Sequence, residues 1–138
     1  VLPTSGTVFL SLADGDKPAG IVVAKRLRAL GFGIVATPGT ADYLSRFGHM
    51  VDAVVGKVSE GAKITAVNLI ASGDISFVIN TPQGRGGRTD GEAIRKAANV
   101  HRVCSVTTVE AALAAAQGMA EQIHHPLEVK SLQEYHGR

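Results

Sequence analysis

Short apolar runs alternate with amphipathic stretches along most of this chain. Val8 to Leu12 is the first run, closed by Asp14-Gly15-Asp16, and its length predicts a strand. Lys17 to Leu30 then carries Val23, Leu27 and Leu30 at helical spacing, with Asp16 as N-cap, Pro18 in the first turn and Gly31 as the stop. The alternation continues with a strand over Gly33 to Ala36 and a short helix over Thr40 to Phe47, ended by Gly48. A third strand spans Val51 to Val55, followed by a polar loop from Gly56 to Lys63. Ile64 to Ser72 reads as a helix with Ala66, Val67, Ile70 and Ala71 on one face. Ile75 to Ile79 is the fourth strand, Glu92 to Asn99 the fourth helix and Arg102 to Val106 the fifth strand. Thr107 and Glu110 have capping-box spacing and open a long Ala-rich helix to Ile123. Strands separated by helices predict right-handed βαβ units, hence an α/β doubly wound fold with a mainly parallel five-stranded sheet and helices on both faces. The tail after Pro126, Leu127 to Arg138, has the composition for an added edge strand or helical turn.

At 138 residues the chain suffices for one domain with a real hydrophobic core. A net charge of +2 is too small to argue for nucleic acid, so none is expected as a partner. Cys104 stands alone, which excludes a disulfide within the chain, and its valine-rich surroundings predict a buried, inert thiol. No apolar run approaches membrane-spanning length and no signal peptide is visible, so the expectation is a cytoplasmic protein without a membrane partner. The opening Val1-Leu2-Pro3-Thr4-Ser5-Gly6 has no initiator Met, which points to a piece of a longer chain.

In an open parallel sheet, ligands bind beyond the carboxyl ends of the strands. There the sequence places Asp14-Gly15-Asp16-Lys17, Thr37-Pro38-Gly39-Thr40, Gly56-Lys57, Asn80-Thr81 and Thr107-Thr108. After Asn80-Thr81 comes Pro82-Gln83-Gly84-Arg85-Gly86-Gly87-Arg88, a glycine-rich loop with two guanidiniums. Backbone amides at the amino end of the helix after Thr40, with Gly39 permitting close approach, would suit a phosphate, and Lys17 and Lys57 could serve as point charges. Taken singly, Thr40 reads first as a helix cap, while Lys17 and Lys57 read as readily as solvated charges, and Arg85 and Arg88 as surface charges. No Walker or dinucleotide fingerprint is present. His124-His125 has no nearby carboxylate or Cys and reads as a helix end, and Asp52, Asp74 and Asp90 suit turns and caps, so no metal site is expected.

Leu12-Ala13-Asp14-Gly15-Asp16-Lys17, Ala36-Thr37-Pro38-Gly39-Thr40, Gly56-Lys57-Val58-Ser59-Glu60-Gly61 and Ile79-Asn80-Thr81-Pro82 form an ordered set. Together they resemble the methylglyoxal-synthase-like allosteric domain at the carboxyl end of the carbamoyl-phosphate synthase large subunit. The resemblance runs through Thr107-Thr108 to Leu132-Gln133-Glu134-Tyr135-His136. It implies a linker over 1–7 and a single effector-binding regulatory domain over 8–138. The domain would do no chemistry and need no cofactor. It would bind uridylate or inosinate, with the effector phosphate near Lys17, Thr37, Gly39, Thr40 and Lys57, and with Asn80, Thr81 and the loop arginines Arg85 and Arg88 nearby. Its parent would be an ATP-dependent ligase using ATP with Mg or Mn. Partners would be the synthetase domains of the same chain and a glutaminase small subunit; homo-oligomerisation is left open. Pro82 and Gly91 depart from the pattern, standing where some members carry hydroxyl residues. The enzymatic alternative on this fold, a methylglyoxal synthase acting on dihydroxyacetone phosphate, would need an Asp where Thr81 stands, and a hydroxyl cannot replace a carboxylate base at neutral pH.

Overall fold

A computed structural model describes residues 2–56, 65–82 and 88–124; for 88–90 it describes the backbone only. Five strands form one sheet: β1 (Thr7–Ser11), β2 (Gly33–Ala36), β3 (Ala53–Val54), β4 (Phe77–Asn80) and β5 (Cys104–Val106). Their order is β3-β2-β1-β4-β5 and every pairing is parallel. The helices are α1 (Lys17–Ala29), α2 (Pro38–Arg46), α3 (Ala66–Ala71), α4 (Arg88–Val100) and α5 (Val109–His124), with a 3₁₀ turn at Asp14–Asp16 leading into α1.

The core divides by strand parity, because successive side chains point to opposite faces of a sheet. Val8 and Leu10 of β1, Ile34 and Ala36 of β2, and Phe77 and Ile79 of β4 share one face with α1, α2 and α5. Phe9, Val35 and Val78 lie on the other with α3 and α4. The register puts like with like: Val8 sits beside Ile34 and Phe77, Phe9 beside Val35 and Val78. Burial on both faces explains why the central strands read as continuous apolar runs without polar alternation. Before β1, Leu2 packs against this core and lies so close to Gly118 of α5 that a Cβ there would come within 2.7 Å of it.

Several boundaries differ from the sequence expectation. Asp16 holds the N-cap position of α1 but makes no side-chain cap bond, because the 3₁₀ turn already directs the chain into the helix. The cap of α5 is Thr108, not Thr107: its hydroxyl accepts the Ala111 N–H at 3.0 Å and its carbonyl the Ala112 N–H at 3.0 Å. β5 starts at Cys104 because Arg102, with φ 56°, makes the left-handed turn out of α4. Cys104 is half-buried, as befits a position near the end of an outer strand. α4 begins at Arg88, which is thus a helical residue and not a loop residue; Gly91 interrupts the sequence pattern but not the helix. α3 buries Ala66 and Ile70 and leaves Ala71 exposed. β3 is two residues long, not five, since as an edge strand it pairs with β2 alone.

One exposed device holds the β2–β3 side together. Asp52 Oδ2 accepts from Arg28 Nη1 at 2.9 Å and from the Ile34 N–H at 2.8 Å, tying the end of α1 to the sheet. Those two donors, Arg28 first, hold the Asp52 carboxyl below its ordinary value of 3.8. A carboxyl depressed on folding adds stability above its unfolded value and loses it as pH falls through the folded one. Stability should therefore decline with acidification below about pH 4, and the decline should be shallower in Asp52→Asn, checked by urea titration across pH. In the core, Phe77→Ala should cost about 3–5 kcal/mol, measured by the same method.

Candidate functional site

The winding direction of the sheet reverses between β1 and β4. β1, β2 and β3 proceed one way, β4 and β5 the other, so the loops leaving β1 and β4 diverge and open a crevice at their carboxyl ends. Ser11 and Asn80 are the paired last residues there. Among the described residues, the buried polar side chains other than Thr65 all collect at this edge: Ser11, Thr37, Thr40, Asn80 and Thr81.

Their hydrogen bonds show how the crevice is built. Thr40 Oγ1 accepts the Leu12 N–H at 3.0 Å, and Thr81 Oγ1 accepts the Ala13 N–H at 2.7 Å. The loop leaving β1 is thus held to α2 on one side and to the end of β4 on the other. The Thr37 hydroxyl lies 3.3 Å from Ser11 Oγ and 3.2 Å from Thr40 Oγ1, with one proton to donate. When the Thr37 proton goes to Thr40, Thr40 accepts twice and its own proton is available to a further acceptor. The first intrahelical bond of α2 runs from the Ala41 N–H to the Thr37 carbonyl at 2.8 Å. Pro38 has no N–H, so Gly39 and Thr40 supply the amides at the start of α2 that no carbonyl within the helix can reach.

Lys17, the first residue of α1, reaches the same point. Its Nζ lies 3.6 Å from where a Gly39 Cβ would sit, so the amino group stands over the start of α2. Its side chain is only 11% exposed. Nζ also pairs with the Asp14 carboxylate, which is itself 96% exposed. That hydrogen bond, and then the charge of Lys17, lower the Asp14 carboxyl below its ordinary value. A cleft of about 390 Å³ opens here, lined by Asp14, Lys17, Gly39, Asp42, Tyr43 and Arg46. It shares Lys17 and Gly39 with the expected ligand groups but is not lined by the threonines or Asn80.

Of the expected site residues, the fold brings Lys17, Thr37, Gly39, Thr40, Asn80 and Thr81 to one edge. Arg88 begins α4, which follows β4, and Lys57 and Arg85 lie outside the described residues. Ser11 was missed by sequence reasoning; the signal was a lone hydroxyl within the otherwise apolar run Val8 to Leu12. His124 ends α5, His125 lies outside the described residues, and no His, Cys, Asp or Glu grouping suited to a metal occurs among the described residues. No helix among them is long and apolar enough to cross a membrane.

The class so defined is a parallel α/β domain with a hydroxyl-lined, amide-rich crevice at its topological switch point. The MGS-like domain profile matches residues 20–107, and the chain belongs to that family. It is similar to the carbamoyl phosphate synthase large chain of Beutenbergia cavernae, with 45% identity over 97% of this chain and 12% of that protein. The large chain of Rubrobacter xylanophilus is 44% identical over 88% of this chain and 11% of its own length. That of Archaeoglobus fulgidus is 39% identical over 98% and 12%. The chain thus corresponds to about an eighth of these relatives, in their carboxyl-terminal region.

Thr81 anchors the crevice whatever occupies it. Thr81→Val would leave the Ala13 N–H without its acceptor and should cost about 1–3 kcal/mol in a denaturant titration.

Proposed function

We propose that this domain binds a nucleotide effector of the uridylate or inosinate type through its phosphate, and thereby regulates a carbamoyl-phosphate synthase of whose large chain it is part. The observation that carries the reading is the convergence of Lys17 with the Gly39 and Thr40 amides at the start of α2. An amino group, two N–H donors and the spare Thr40 proton suit a tetrahedral dianion, and the positive end of the α2 dipole favours it further. Thr37 supports the cradle from below through its contact with Thr40. Lys57, Arg85 and Arg88 are the remaining cations proposed for the ligand.

In this reading the domain supplies regulation and no chemistry. The ligase activity, its ATP and Mg or Mn, and the glutaminase partner belong to the rest of a parent chain. Regulation would arise from a difference in effector affinity between active and inactive states of that parent. The lyase alternative lacks its base: the group after β4 is Thr81, a hydroxyl 1% exposed and engaged with the Ala13 N–H.

Calorimetry tests the proposal. Uridine and inosine 5′-monophosphates should bind saturably while the free nucleosides bind far more weakly, and Lys17→Ala should reduce nucleotide affinity by roughly tenfold or more. Equal binding of nucleotide and nucleoside would refute the phosphate cradle. Formation of methylglyoxal from dihydroxyacetone phosphate would restore the enzymatic reading.

A further inference from the structure

A second group of donors lies across β1 from the start of α2. Asn80 ends β4 and is 6% exposed. Its Nδ2 points at Gly91 in the first turn of α4, lying 3.3 Å from where a Cβ would sit. Arg95 stands one turn further along α4, and its Nη1 lies 3.4 Å from that same point. An exposed guanidinium and a buried amide therefore meet over a residue with no side chain. Any larger residue at position 91 would come between them.

We propose that Arg95 and Asn80 form a paired donor site for the base carbonyl oxygen that stands where cytosine carries its amino group, such as the C4 oxygen of uracil, and that Gly91 is the residue that admits it. The inference rests on the nucleotide reading above and adds its base specificity. Two N–H donors, one carrying positive charge, recognise an acceptor oxygen and disfavour an exocyclic amino group. The strand order places Asn80 at the end of β4 and the phosphate cradle at the end of β2, with β1 between, while Arg95 reaches Asn80 from α4. Two interstrand spacings separate Asn80 from the cradle by on the order of 10 Å, comparable to the span from a 5′-phosphate across ribose to a base. Arg95 was not among the residues singled out from the sequence, since an arginine on a helical repeat reads as a solvated charge.

The test titrates the unaltered chain, Arg95→Ala, Arg95→Lys and Gly91→Val with uridine 5′-monophosphate, cytidine 5′-monophosphate and inorganic phosphate, alongside thermal melting. The unaltered chain should prefer the uridine nucleotide. Arg95→Ala should lower its affinity about tenfold, erase the preference over the cytidine nucleotide and leave inorganic phosphate unchanged. Arg95→Lys should restore part of the loss. Gly91→Ala, which adds a single carbon and favours the helix, should keep or raise the melting temperature while weakening the uridine nucleotide, and it stands in if Gly91→Val does not fold. Uridine nucleotide binding that is unchanged in Arg95→Ala overturns this inference and leaves the phosphate cradle standing. Equal loss of phosphate in that variant also overturns it, since Arg95 would then be a general charge. If the unaltered chain binds none of the three, the nucleotide reading falls and this one with it.

Discussion

A sheet that reverses its winding between two adjacent parallel strands must send the two outgoing loops apart, and the backbone they leave behind has no ladder partner. In this domain Leu12 and Ala13 follow β1, and their N–H groups donate to Thr40 and Thr81. The reciprocal bonds complete the seam: the Thr81 N–H donates to the Ser11 carbonyl at 2.9 Å and the Thr37 N–H to the Leu10 carbonyl at 3.3 Å. Buried N–H groups left without acceptors cost more than a made bond returns. These contacts therefore set where the β1 loop runs, where α1 begins, and so where the Lys17 amino group comes to rest. The functional edge inherits its shape from a backbone requirement.

That inheritance explains what the sequence could and could not disclose. The α/β alternation was legible because both faces of β1, β2 and β4 are covered, leaving apolar runs with no competing pattern, and β2 was placed at its observed limits over Gly33–Ala36. The threonines were legible as strand-end polar groups but not as bridges, because Thr40 and Leu12, 28 residues apart, meet only once the sheet has formed. Choosing Thr107 over Thr108 as the α5 cap followed the Glu110 spacing, yet the structure uses a hydroxyl-to-backbone bond with no need of the glutamate. Arg102 was read as strand because nothing in an arginine announces φ 56°. Arg88 reads as a loop residue from the sequence because it directly follows Gly86-Gly87, whereas tertiary packing of Ile94, Ala97 and Ala98 against the second face carries α4 through Gly91.

The two ends of the crevice differ in rigidity. Thr37, Thr40 and Thr81 are buried and engaged with backbone or with each other, so their hydroxyls are held before any ligand arrives. Lys17 is held by a carboxylate almost wholly in water, an ion pair that contributes little to stability and is screened by salt. An anion at the start of α2 competes with Asp14 for Lys17 without disturbing the seam. Asp14 can be hydrated where it stands, so the exchange trades one solvated partner for a ligand that also meets the Gly39 and Thr40 amides. Preorganisation of this sort favours binding because the donors need no rearrangement to receive it.

Preorganisation also limits what the cradle can do. A ligand that meets the same rigid donors in two states of a larger assembly binds both equally, and equal affinity shifts no equilibrium however tight the binding. The threonine seam can therefore supply affinity but not the difference in affinity that regulation requires. That difference has to come from contacts that move relative to the seam. The 3₁₀ turn before α1 and the exposed side of α4, where Asp14 and Arg95 stand, meet that condition, because neither residue belongs to the buried hydrogen-bonded network. In the nucleotide reading proposed above, a change in packing against a neighbouring domain acts through these two positions, altering the charge offered to the ligand while leaving the sheet edge unchanged.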